Sequence, residues 1–380
     1  MIAADALLDA FINANILFLI GYALWLLVRR SMQTLGLKHA FAIQLRLLNA
    51  VFLAIVAAPF LALAFRRLQN AGVARDVNIN LSDAIVAFYL NGGIQMDSSR
   101  FESMVLMRDE FVFNVLTANG PVAKAVIAVF LAGLVLGLLR LTTSVWCLRK
   151  IVANSHIWRS VGRIELRVSD RTLVPFSTRG VRNYYVVIPS HMLGSADQIK
   201  VALAHEFQHI RQGDLEWEVA LEALKPIFFL NPAYRAWKRQ VEHLRELNCD
   251  SQVLASGRID IRSYCETLLS VCQQTLRRDR TFLLAVPKVT LVTAERQPPD
   301  GSRQSFIEAR ILSALELRSL RYQRLIFAAI AVPLLAATTL ATLTIQSPGD
   351  WSHDRLMLST VVNLDRLDEI NRLSTFGKSN

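Results

Sequence analysis

Apolar side chains along this chain are gathered into four long blocks, and the segments between them carry the polar and periodic patterns. The blocks run from Phe11 to Val28, Leu47 to Phe65, Val122 to Leu148, and Leu325 to Gln346. The first, second and fourth contain no charged residue, and the third is interrupted only by Lys124 and Arg140. At about 1.5 Å rise per residue, a block of roughly 20 residues crosses a 30 Å hydrocarbon layer, so each predicts a transmembrane helix. Arg140 lies towards the end of its block, where a long side chain reaches the interface.

Residues 149–324 read differently. Ile164 to Val168 and Tyr184 to Ile188 are β-branched or aromatic runs bounded by Ser, Arg, Gly and Pro, which predicts two strands. From Ala196 the period becomes helical, with Ile199, Leu203, Phe207 and Ile210 on one stripe and Gly213 as a stop. A second helix is expected from Asn231 as N-cap, through Pro232 in its first turn, towards Leu254. Pro287 to Ser305 holds three prolines and a glycine and reads as an exposed, irregular connector. The predicted fold is an α-helical integral membrane protein with four spans and an α+β domain inserted between the third and fourth. Residues 1–148 form a membrane part with a loop at 66–120, expected to hold short surface helices. Residues 347–380 form a tail in which Met357, Val361, Leu364 and Leu367 predict a short amphipathic helix.

Charge orients these segments. Arg29, Arg30, Lys38 and Arg46 crowd the short first loop, whereas residues 66–120 carry five basic groups against six acids. By the positive-inside rule the first loop and residues 149–324 are cytoplasmic and both termini extracytoplasmic. Asp5 and Asp9 stand where a signal peptide would be basic, so the first block is expected to remain as an anchor. The net charge of +11 is accounted for by basic groups beside the spans, facing anionic lipid. No nucleic-acid-binding motif accompanies it. Four cysteines without a C-x-x-C pair are expected to stay reduced on the cytoplasmic side.

The chemistry is concentrated at His205-Glu206-Phe207-Gln208-His209, an H-E-x-x-H on a predicted helix. Two imidazoles at i and i+4 project from one face and share one Zn²⁺, and Glu206 beside them is placed to take a proton from the attacking water. A third ligand is required. Gln212 and Leu215 exclude the metzincin pattern, which needs Gly and His at those positions. Glu242 and Glu246 are the leading candidates, with Asp214, Glu218 and Glu222 nearer in sequence. Glu246 is preferred because Asp250, one turn further on, is placed to orient a ligand histidine, with Asp214 as a second such carboxylate. Tyr184, Tyr185 and His243 are candidates for stabilising an oxyanion, and strand Tyr184 to Ile188 for pairing with an extended substrate.

The runs Val187-Ile188-Pro189, Leu203 to Arg211 with Asp214, Phe229-Leu230-Asn231-Pro232 and Arg245-Glu246-Leu247-Asn248-Cys249-Asp250 occur in this order. In order and spacing they resemble the sensor-transducer metallopeptidases of the BlaR/MecR type, which control β-lactam resistance. The resemblance implies a cytoplasmic gluzincin domain in a bacterial inner membrane, with His205, His209 and Glu246 as zinc ligands and Glu206 as base. It also implies cleavage of a transcriptional repressor, of the chain itself, or of both, and Ser305-Phe306 after the connector is a candidate self-cleavage point. Only 35 residues follow Ile345, so the penicillin-binding sensor domain of those relatives is expected to be absent. A membrane quality-control gluzincin and a non-enzymatic signalling scaffold with structural zinc are the competing readings. A second copy of the chain is left open as a partner.

Overall fold

The computed structural model describes residues 2–71, 81–277, 289–290, 302–315, 322–345 and 353–373. Among them are four helices long and apolar enough to cross a membrane: α1 (Ile2–Thr34), α2 (Phe41–Asn70), α5 (Gly120–Ala153) and α11 (Gln323–Thr344). Their apolar stretches contain the first three blocks seen in the sequence and the fourth as far as Thr344. Pro59 lies inside α2 and Pro333 inside α11. Neighbouring groups in a bilayer protein can satisfy the backbone such residues free.

The chain divides into two compact units. One comprises residues 1–24, 49–131 and 329–380. Within it α3 (Leu81–Leu90) and α4 (Ser98–Leu116) occupy the predicted loop, and α12 (His353–Leu373) packs on both. Val86 and Phe101 bury against Leu358 and Val362, with Tyr89 stacked on Phe101 at 3.9 Å between centroids. The tail is therefore helical as expected, but its buried stripe is Leu358 and Val362. Met357, Leu364 and Leu367 are exposed, because α3 and α4 meet the neighbouring face of the helix.

The other unit comprises residues 25–48 and 132–328. It holds a sheet in the order β1 (His156–Val161), β2 (Ile164–Ser169), β4 (Tyr184–Pro189), β3 (Phe176–Arg179), β5 (Val289–Thr290). β2 and β4 are parallel and the other pairs antiparallel. The strand assigned to substrate pairing, Tyr184 to Ile188, is thus internal. Its backbone groups are taken on one side by β2 and on the other by β3, so it has no free edge. The outer strands of the sheet are β1 and β5, the latter paired antiparallel with β3.

Behind the sheet lie α6 (Ala196–Gln212), α7 (Asp214–Leu224), α8 (Pro232–Ala255), α9 (Ile261–Arg277) and α10 (Ser302–Leu315). Ile199, Leu203, Phe207 and Ile210 of α6 pack onto a core of Leu166, Val186, Ile188, Met192 and Leu268. This stripe is the one read from the sequence, and it leaves the opposite face of α6, with His205, Glu206 and His209, to face α7 and α8. The two expected boundaries also hold. Gly213 adopts φ +72°, the left-handed conformation that L side chains avoid, and its N–H bonds the carbonyls of His209 and Ile210. Asn231 Oδ1 accepts from the N–H groups of Ala233 and Tyr234, with Pro232 opening α8. At Gly133 of α5 a Cβ would stand 2.0 Å from the Phe229 ring, so glycine is what lets the turn before α8 reach that helix. Of the connector expected at Pro287 to Ser305, Val289–Thr290 form β5 and residues 302–305 are helical, because α10 begins at Ser302; the rest lies outside the described residues.

Replacing Asn231 by Ala removes a buried cap and should lower stability by about 1 kcal/mol, while Asn231→Asp should retain most of it. Thermal unfolding of the detergent-solubilised chain measures both. Equal midpoints for the wild type and the Ala variant would contradict this role.

Candidate metal centre

Gly213 makes a turn so tight that α7 begins one residue after it. That turn carries Asp214 back onto the last turn of α6, where its Oδ2 lies 2.7 Å from His209 Nδ1. His205 Nδ1 lies 3.0 Å from the Tyr264 hydroxyl, which itself donates to Asp250 Oδ1. An ionised carboxylate only accepts, so His209 Nδ1 carries the proton there. The Tyr264 hydroxyl has its proton on Asp250, so it accepts from His205 Nδ1–H. Both Nε2 atoms are then left with bare lone pairs, and they face each other at 3.0 Å.

α8 closes the third side. Glu246 Oε2 stands 3.4 Å from His205 Nε2, and Glu246 Oε1 stands 3.6 Å from His209 Nε2. Donors about 2.0–2.1 Å from a tetrahedral cation stand roughly 3.3 Å from one another. The two nitrogens and the carboxylate have that spacing. Two lone pairs aimed at each other in a fully buried site repel unless a cation lies between them, and the side chains of His205, Glu206 and His209 are all inaccessible to solvent. No well-formed hydrogen bond reaches either Glu206 oxygen or Glu246 Oε2 among the described residues, although Arg310 Nη1 stands 3.3 Å from Glu246 Oε2 and the Ser177 hydroxyl lies beside Glu206. Orphaned buried acceptors of this kind fit a metal ion and a water molecule.

Cys249 is the other potential donor, and its Sγ lies within 4.8 Å of donor atoms of His205 and His209. It sits 3.5 Å from His205 Nδ1, the nitrogen already taken by Tyr264, and donates to the His205 carbonyl at 3.4 Å. Burial, with Asp250 and Glu246 beside it, pushes the thiol well above its ordinary pKa. The thiolate a metal needs is therefore disfavoured there.

Two groups invisible to local sequence patterns complete the centre. Tyr264 comes from α9. Arg310 comes from α10 and is almost fully buried, its Nε 2.6 Å and Nη2 2.7 Å from the two oxygens of Asp250, with Nη1 3.3 Å from Glu246 Oε2. Burial alone raises the Glu246 carboxyl, but Arg310, with His205 and His209, outweighs it and holds the pKa at about 2. Glu206 has no such cation in contact. Burial lifts it to about 7, against the downward pull of His209 and the Ser177 hydroxyl. One carboxylate is thereby kept ionised and the other poised for proton exchange near neutrality.

The remaining candidates go elsewhere. Glu242 joins Glu218 and Glu222 around the Lys238 ammonium, so the cation position among these three acids is filled by a side chain. Glu218 also binds Arg245 at 2.6 Å, and Arg245 donates to the Asp214 carbonyl. Tyr184 donates to Glu216 at 2.7 Å and Tyr185 stacks under Arg167. His243 lies near Arg29, Arg310 and Glu246, and burial lowers its pKa. Ser305 and Phe306 lie in the first turns of α10.

A family model described as BlaR1 peptidase M56 matches residues 9–289, most of the chain. The chain belongs to this family. No curated protein matches it. Membership of the M56 peptidases gives the four apolar helices and the buried histidines a common setting, a membrane-associated metallopeptidase.

Two outcomes follow from the buried charges. Arg310→Met leaves Asp250 and Glu246 without their cation and should destabilise the metal-free chain by roughly 3–5 kcal/mol, read as a lowered unfolding midpoint, whereas Arg262→Met on the exposed face of α9 should change little. Burial raises the Glu218 carboxyl, but Arg245 and Lys238 lower it from 4.5 to about 2. A depressed pKa means its stabilisation is fully present above about pH 4.5 and is lost as pH falls towards 2. Glu218→Gln should flatten the acid limb of the stability profile over that window, and an unchanged limb would contradict the pairing.

Proposed function

We propose that the chain is a membrane zinc metalloendopeptidase of the gluzincin type, with His205, His209 and Glu246 as metal ligands and Glu206 as general base. The observation that carries this reading is the pair of bare Nε2 atoms 3.0 Å apart, with Glu246 across from both. A bound Zn²⁺ supplies Lewis acidity, to water and to the scissile carbonyl alike. The protein side chains do the rest. Asp214 and Tyr264 fix the imidazole tautomers, Asp250 holds Tyr264, and Arg310 keeps Glu246 anionic. Glu206, raised towards neutrality by burial, takes the proton of the attacking water and returns it to the leaving amine.

The basic residues flanking α5 and in the first loop support a cytoplasmic position for residues 149–324 and extracytoplasmic termini. That placement, with the family, favours regulated cleavage of a cytoplasmic protein such as a repressor. Cleavage of the chain itself between Ser305 and Phe306 belongs to the same proposal. Because peptidases act on extended backbone, it requires the first turns of α10 to unwind.

Glu206→Gln should keep the metal content of the wild type and lose cleavage by at least about 100-fold, the scale of a positioned general base. Metal analysis, together with mass spectrometry of membranes carrying either form, measures both. Wild-type membranes should show new termini at Ser305 and Phe306 and the variant should not. Wild-type cleavage by the Gln form would sink the assignment of Glu206. Intact wild-type chains with a metal-loaded site would remove the self-cleavage.

A further inference from the structure

Between α5, α7 and the turn joining β3 to β4 lies a cavity of about 1120 Å³, larger than most small-molecule pockets. One wall is Leu141, Val145, Leu148 and Val152 of α5, spaced i, i+4, i+7 and i+11, and therefore on one helical face. Counting about 20 residues from Val122 for the hydrocarbon layer ends the span near Leu141. The apolar stripe thus continues past the point where the helix meets headgroups and water, with Leu148 and Val152 largely covered by Phe176 and Val187 of the sheet and Leu141 and Val145 more open. Trp146, exposed and with Lys150 Nζ 5.1 Å from its ring centroid, marks that level, as interfacial Trp residues do.

Four arginines also line the cavity, and they are not equivalent. Arg167 is neutralised by Glu165 at 2.8 Å and Arg179 by Glu216 at 2.7 Å. Arg149 and Arg182 have no acidic partner among the described residues. The acids that line it, Glu216 and Glu222, are held by Arg179 and Lys238, so the cavity combines an apolar wall running down from a membrane span with two guanidinium groups that have no acidic partner among the described residues.

We propose that this cavity binds one anionic phospholipid, its phosphodiester on Arg149 and Arg182 and an acyl chain along the α5 stripe. Guanidinium groups pair with phosphate oxygens through two parallel hydrogen bonds, and the stripe lets the chain enter from the bilayer without crossing a polar barrier. The occupant lies against α7, the helix that begins with Asp214 and so orients His209. It is well placed to bear on the metal centre from the membrane.

Native mass spectrometry of the detergent-purified full chain, after addition of phosphatidylglycerol or phosphatidylcholine with matched acyl chains, tests this. One phosphatidylglycerol should be retained in preference to phosphatidylcholine. The double variant Arg149→Gln/Arg182→Gln should lose roughly thirtyfold in affinity for it, whereas Arg258→Gln/Arg262→Gln, with the same loss of charge on another surface, should not. Val219→Trp, which puts an indole into the space the lipid would occupy, should weaken retention of phosphatidylglycerol while the unfolding midpoint stays at the wild-type value. Undiminished retention by the double variant or by Val219→Trp would overturn the proposal. Displacement of the lipid by millimolar inorganic phosphate would also overturn it, by showing an anion site without an acyl component.

Discussion

Two imidazole nitrogens, each stripped of its proton by what the other side of the ring is bonded to, face each other at 3.0 Å in a site closed to water. That repulsion is the constraint around which this unit is built. On the proposed reading a divalent cation relieves it, and the neighbouring charges are arranged to make the cation welcome. Glu246 is held ionised, Asp214 holds one ring, and Tyr264 and Asp250 hold the other. Without the cation, the same groups would be an assembly of buried polar atoms with orphaned acceptors, which folded proteins avoid.

Arg310 makes the arrangement tolerable. Asp250 and Glu246 lie one turn apart on α8, and two carboxylates that close would resist joint ionisation in a buried site. A single guanidinium bonded to Asp250 by two hydrogen bonds and resting near Glu246 settles both. Its fork geometry is what lysine lacks. Since Arg310 stands on α10, the centre depends on a helix from the far side of the connector, and the docking of that helix is coupled to the ionisation of a proposed ligand. A second buried network, Lys238 and Arg245 with Glu218, Glu222 and Glu242, braces α7 against α8 and so fixes Asp214 indirectly through Arg245.

What was legible in the sequence was local. The spacing of His205 and His209, the stripe of Ile199, Leu203, Phe207 and Ile210, the stop at Gly213 and the cap at Asn231 all depend on residues within a few positions of one another. The four spans were legible for the same reason. β1, exposed along its whole length, and β3, four residues long, give too little alternation to be read, and without them Tyr184 to Ile188 looked like an edge. Tyr264 and Arg310 lie 59 and 60 residues from the partners they serve, and nothing in their own neighbourhoods distinguishes them from other residues of amphipathic helices. The choice of Leu358 and Val362 as the buried face of α12 was likewise decided by α3 and α4.

The central claim is that two histidines and Glu246 hold one zinc ion, and not the nearby thiol of Cys249. X-ray absorption at the zinc edge of the purified chain tests it most directly. The account predicts one zinc per chain with nitrogen and oxygen scatterers at about 2.0–2.1 Å and imidazole outer-shell features. A sulfur scatterer at about 2.3 Å, or a properly folded chain that takes up no zinc, would contradict it.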